Sequence, residues 1–159
     1  MDPLLELLKS NGRASTADLA KALNISEADA AKRLKALERD GTIVGYQALL
    51  DPEKASNGAV EAVIEVKITP ERGGGFDRLA SRISKFEEVQ SCYLMSGGYD
   101  LLIIVQGKNL QSVARFIAER LSTIKGVIST ATHFRLKAYK ESGMLLHRES
   151  KSQRLAVSP

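Results

Sequence analysis

Along the first fifty positions, apolar residues recur every three or four places, the period of an α-helix and not of a strand. Leu4, Leu5 and Leu8 form one such stripe, which stops near Asn11-Gly12-Arg13. Ser15, with Asp18 three residues on, is a capping-box pattern ahead of a second stripe made of Leu19, Ala20 and Leu23. A third start follows at once. Ser26 stands as N-cap and Asp29 at N3, Ala30, Leu34 and Leu37 supply the buried face, and Gly41 is the stop. Only residues 24–26 separate the second and third helices, the spacing of a helix-turn-helix. The β-rich residues 42–51 then predict a short strand or ribbon.

Residues 51–59 are polar, with Pro, Ser, Asn and Gly, and read as a linker after a first domain at 1–50. Beyond them the period changes to two. Val60, Ala62, Ile64, Val66 and Ile68 alternate with Glu61, Glu65, Lys67 and Thr69, a strand with one buried face. Phe76, Leu79, Ile83 and Phe86 share a helical face. Residues 88–107 read as two strands joined by a tight two-residue turn at Gly97-Gly98. A second amphipathic helix should bury Leu110, Val113, Ile117, Leu121 and Ile124, and residues 127–140 should form a fourth strand. The order β-α-β-β-α-β is the split βαβ, or ferredoxin-like, motif, placed here at 60–146 ahead of a polar tail at 147–159. The fold class is α+β.

Composition narrows the chemistry. Of 159 residues one is cysteine, Cys92, and two are histidines, so neither a disulfide framework nor a multi-cysteine zinc site is available. Cys92 and His133 fall within predicted strands with no partner motif, and His147 stands alone in the tail. No catalytic residue, metal site or cofactor is assigned, and an enzyme is not expected. The start carries Asp2 and Glu6 without a basic n-region, and no run of 18 apolar residues exists, so a secretory signal and a membrane span are not expected. A cytoplasmic protein is. The net charge of +4 is concentrated late: residues 1–50 hold seven basic and seven acidic side chains, whereas 137–159 hold five against two. A basic pI is therefore weak evidence for nucleic acid, and local arrangement must carry that argument.

The third helix supplies it. With Ala30, Leu34 and Leu37 inward, its outward side presents Ala28, Ala31, Lys32, Lys35 and Arg39. Two alanines permit close approach to base edges, and the basic residues reach bases or phosphates. Arg33 and Arg13 can clamp the backbone on either side, and Thr16 and Ser26 open the two helices of the motif; these nine residues are the DNA-binding candidates. Glu27 and Asp29 lie near the same helix end, where they can repel phosphates or stabilise the first turn. In the second domain, residues 100–105 are apolar at nearly successive positions, so both faces of that strand need covering. One chain provides one helical layer, which points to a homodimer.

With the motifs NGRASTADLAKALNIS, SEADAAKRLKALERDGTIVGY, SGGYDLLIIV and STATHFRLKAYKE in this order, the chain resembles the Lrp/AsnC family of transcription regulators over residues 1–146. The resemblance implies a winged helix-turn-helix followed by a ferredoxin-like domain that binds a small effector and mediates oligomerisation. It also implies dimers that often assemble further into octamers or related rings. With about two residues before the first helix, an arm ahead of that helix is expected to be abbreviated or missing. Glycine N–H groups can approach a carboxylate and an Asp can pair with an ammonium, the two ends of a free amino acid. From the family's effector-site turn, Gly97, Gly98, Tyr99 and Asp100 are carried over, and Thr132 from the last strand. The rival readings are an amino-acid-sensing regulatory subunit of a metabolic enzyme, which the helix-turn-helix argues against, and RNA binding through the sheet. The latter needs stacked aromatics that residues 100–107 lack.

Overall fold

In a computed structural model, which describes residues 2–55, 58–70, 72–73 and 75–146, the chain divides into two units that meet between Leu49 and Leu50. The tail at 147–159, with His147, lies outside the described residues.

The first unit is three helices: α1 (Pro3–Ser10), α2 (Thr16–Leu23) and α3 (Glu27–Arg39). Each begins on a side-chain cap. The Asp2 carboxylate accepts the Leu4 N–H, and Ser26 Oγ accepts the Asp29 N–H. At α2 the box is complete, with Ser15 Oγ accepting from Asp18 N–H and the Asp18 carboxylate accepting from Ser15 N–H. Asn24 ends α2 in the left-handed region at φ +53°, which reverses the chain within a few residues. Leu19, Ala20 and Ala30 form the core, with Leu7, Leu8, Ile25 and Leu34 packed on it and Leu4 fully buried. Leu5 is only half-buried and Leu7 takes its expected place.

The strand expected at 42–51 does not form. Its residues have no ladder partner, and Val44 is 96% exposed. A strand needs a neighbour for its N–H and C=O groups, and this segment has none among the described residues. It folds back on α3 instead: Ile43 N–H donates to the Leu37 carbonyl, and the Tyr46 hydroxyl donates to Glu38 Oε1.

The second unit opens with one helical turn, α4 (Pro52–Ala55), inside the stretch read as linker. Strands β1 (Val60–Ile68), β2 (Val89–Leu94), β3 (Leu101–Gly107) and β4 (Val127–Phe134) form one antiparallel sheet in the order β2-β3-β1-β4. Helices α5 (Asp77–Ile83) and α6 (Leu110–Phe116) supply Leu79, Ile83, Val113 and Phe116 to a core with Ala62, Ile64, Val66, Leu101, Ile103 and Val105. This is the βαββαβ arrangement that the alternation predicted.

Two expectations fail locally. Leu110 is 54% exposed, because it sits at the first position of α6, and Phe116 is buried in its stead. The helix then widens into a π turn at Ile117–Leu121, where Ser122 N–H reaches the Ile117 carbonyl. The extra residue shifts the helical phase, so Phe116, Leu121 and Ile124 point inward while Ile117 is only half-buried. The fourth strand also stops at Phe134. The Arg135 N–H still donates to the Glu61 carbonyl at 3.0 Å, its guanidinium pairs with Glu61 at 2.7 Å and Glu141 at 3.1 Å, and a small hairpin follows, β5 (Lys140–Glu141) with β6 (Met144–Leu145). Its two loop residues, Ser142 and Gly143, both have positive φ, as the tightest hairpin turn requires.

Candidate functional site

The outer side of α3 presents Ala28, Lys32, Arg33, Lys35 and Arg39, all exposed, with Ala31 half-exposed among them. Among the described residues none of these four cations enters an ion pair. The acids are placed differently. Asp29 Oδ2 accepts the Ser26 hydroxyl at 2.6 Å, so both are turned onto the cap. The Thr16 hydroxyl donates to Glu27 Oε1 at 2.9 Å, a link between the first residues of α2 and α3. Asp18 is held below the ordinary carboxylate range, chiefly by the Ser15 hydroxyl. Arg13 is exposed in the turn after α1, where its N–H donates to Asn11 Oδ1. Exposed cations on one helix, with neighbouring carboxylates satisfied by hydroxyls, make a surface suited to a polyanion. The Thr16–Glu27 contact was missed from sequence, since nothing in local spacing links residues eleven apart.

The connection between β2 and β3 is longer than a two-residue turn. It spans residues 95–100 and is closed by Met95 N–H donating to the Asp100 carbonyl at 2.8 Å. Gly97 has φ +138°, whereas Gly98 is outside the left-handed region, so the paired positive φ values of the tightest turn are absent. Gly97 and Gly98 are exposed, and Tyr99 and Asp100 half-buried. Asp100 has work within the fold: its Oδ2 accepts the Ile68 N–H at 2.8 Å, and its N–H donates to the Val66 carbonyl at 3.0 Å. The ladder between β1 and β3 runs only to Val66–Leu101, so this side chain replaces the strand that Ile68 lacks on that side. Thr132 pairs with Ile64 and shares its helix-covered face. It lies on β4, across β1 from the Asp100 loop. A groove of 1390 Å³ in this unit, between α4 and the Arg135 segment, is lined by other residues, Glu61, Glu88 and Gly107 among them.

The sheet's other face has no helix over it. Leu102 and Ile104 are half-exposed there, beside Val63, Glu65, Tyr93, Ala131 and His133. His133 Nε2 lies 3.5 Å from Glu65 Oε1 on this face. Cys92 pairs with Ile103 on the opposite, helix-covered face, so Cys92 and His133 cannot act as a catalytic pair. Among the described residues no group of three or more His, Cys, Asp or Glu could hold a metal ion, and no helix is long and apolar enough to cross a membrane.

Comparison with known proteins places both units. Residues 4–44 match the winged helix-turn-helix DNA-binding family, and residues 61–145 match the Lrp/AsnC ligand binding domain. The chain is 42% identical over 157 residues to YugG, an HTH-type transcriptional regulator of Bacillus subtilis, covering 98% of this chain and 95% of the relative. It is 31% identical over 145 residues to the leucine-responsive regulatory protein of Escherichia coli K12, covering 90% and 87%. Among solved structures, a transcriptional regulator of Neisseria meningitidis, crystallised as its L-Met complex, superposes with a TM-score of 0.70. The two share 29% identity, over 90% of this chain and 92% of that one.

Proposed function

This chain belongs to the Lrp/AsnC family of DNA-binding transcription regulators, and from that premise we propose that it acts in the cytoplasm as an amino-acid-responsive homodimer or a multiple of one. The observation that carries the assembly is the one-sided sheet. Val63, Leu102, Ile104 and Tyr93 leave an apolar face that the chain's own helices do not cover, and a second copy offers a matching face under two-fold symmetry. The outer side of α3 enters the major groove, with Ala28 and Ala31 against base edges and Lys32, Arg33, Lys35, Arg39 and Arg13 on bases or phosphates. Support for an amino-acid effector comes from the Neisseria relative solved with L-Met and from the chemistry of residues 97–100. Free backbone N–H groups suit the carboxylate, and Asp100, with Oδ1 unengaged among the described residues, suits the ammonium. Two linked sites on one chain make effector and DNA affinity reciprocal. Higher assembly, to octamers, is what the family resemblance implies.

The test is a thermal-shift screen of the full chain against the twenty amino acids, paired with light scattering at micromolar concentration. At least one amino acid should raise the melting temperature and alter DNA affinity, and the chain should scatter as a dimer or larger. A monodisperse monomer refutes the assembly, and twenty flat melting curves refute the effector class.

A further inference from the structure

An acid facing DNA is repelled by every nearby phosphate, so Glu27 at the head of α3 requires an explanation. Asp29 has one in its contact with the Ser26 hydroxyl. Glu27 is different. It is exposed, no cation pairs with it among the described residues, and one carboxylate oxygen is engaged, by a hydroxyl that does not neutralise it. Thr16 thereby fixes the carboxylate at the α2 edge of the outward side of α3, with Oε2 left to accept. Glu27, Ala31 and Lys35 are spaced i, i+4, i+8 and so form one row along the helix. In that row the side chains are an acceptor, a methyl and a donor. Cytosine is the base whose major-groove edge presents a donor without an acceptor, its N4 amino group, and carboxylates are its usual partner.

We propose that Glu27 is a specificity-determining residue that accepts a hydrogen bond from cytosine N4 in the major groove, with Thr16 as the residue that positions it. The proposal rests on the DNA-binding reading of α3 given above. It assigns the acid a purpose that repulsion alone denies it: Glu27 weakens binding to every sequence through the phosphates and recovers that loss only where a cytosine stands opposite. Such a residue raises discrimination more than affinity.

The experiment is selection of binding sites from a random duplex library by the full-length wild type and by Glu27→Gln, followed by titration of the selected site and its single-base substitutions. The glutamine keeps an oxygen to accept from Thr16 and loses the charge, so the helix start is conserved. Wild type should prefer C·G at one position of each half-site by about tenfold over other pairs. Glu27→Gln should lose that preference while keeping those at other positions, and Thr16→Val, which frees the carboxylate, should blunt it. Melting temperatures confirm that each variant is folded. Identical base profiles for wild type and Glu27→Gln, or equal strengthening on all sequences, overturn the proposal. A wild type that selects no sequence at all overturns the DNA-binding reading beneath it, an outcome readily told from the first.

Discussion

Removing the Asp100 carboxylate should be felt first at one backbone amide. The Ile68 N–H has no strand partner on the β3 side and donates to Asp100 Oδ2 at 2.8 Å, while the Ile68 side chain is 3% exposed in the core. Asp100→Ala leaves that partly buried donor unsatisfied, which costs about 1–3 kcal/mol. Asp100→Asn retains an acceptor and gives up only the charge assistance, on the order of 0.5–1 kcal/mol. Urea unfolding of the full chain, followed by circular dichroism, reads the totals, and amide hydrogen exchange resolved at Ile68 reads the cause. Protection at Ile68 should collapse in the alanine variant and persist in the asparagine variant. The same pair separates structure from sensing, because Asp100→Asn should still weaken the amino acid by roughly ten- to hundredfold through the lost ammonium contact. Unchanged Ile68 exchange in Asp100→Ala would refute the backbone role. Equal effector affinity in wild type and Asp100→Asn would leave that role as the only one.

Lys35→Ala should weaken operator binding by about 1–3 kcal/mol if it reads a base, or uniformly across sequences with a shallower salt slope if it touches phosphate; unchanged affinity in the Lys32→Ala/Lys35→Ala double variant refutes this face. Gly107→Ala should destabilise the second unit by about 1–3 kcal/mol, since its Cβ would stand 2.6 Å from Ser112 Oγ and 2.7 Å from Val113 Cγ2, and a urea midpoint equal to wild type counts against it. Burial pushes Glu61 above its ordinary value of 4.5 against the pull of Arg135, so the folded state holds the proton more tightly than the unfolded one. That contribution is therefore favourable at low pH and is lost as pH rises from 4.5 through the raised value, and the Glu61→Gln stability profile should be flatter across that interval.

What could be read from the amino acids was what repeats. Alternation over Val60–Ile68 gives the buried face of β1, and hydroxyl–carboxylate pairs three residues apart, Ser15–Asp18 and Ser26–Asp29, mark two helix starts because the bonds close within one turn. Features that depend on one inserted residue, or on a partner far along the chain, were hidden. The π turn at Ile117–Leu121 sets Phe116, and not Ile117, in line with Leu121 and Ile124 in the core, a shift of phase that regular helical spacing does not announce. Arg135 meets Glu61, 74 positions earlier, in a pairing that no local spacing announces. Ser142-Gly143 does carry a local signal, since a Ser-Gly pair marks a turn and both residues take the positive φ of a two-residue hairpin loop. Residues 42–51 are β-rich without forming a strand, because β-propensity describes a surface that fits a sheet and supplies no neighbour to pair with.

The neutral charge of the first fifty residues also changes meaning once the contacts are known. Six of its seven acids accept hydrogen bonds within the unit: Asp2 from Leu4, Asp18 from Ser15, Glu27 from Thr16, Asp29 from Ser26, Glu38 from Tyr46 and Asp40 from Thr42. Lys32, Arg33, Lys35 and Arg39 carry no ion pair among the described residues. The negative charge thus sits at the ends and turns of helices. Asp2, Asp18, Glu27 and Asp29 stand at N-termini, where they complement the helix dipole, and Glu38 and Asp40 bond the segment that leaves α3. Four of the seven cations are exposed on α3. A net of zero therefore covers an uneven distribution, with six acids held in hydrogen bonds and four cations on α3 without an ion pair among the described residues. Such a distribution lets the exposed cations of α3 attract a phosphate backbone at short range although the unit as a whole is neutral, because screening confines each charge to its neighbourhood.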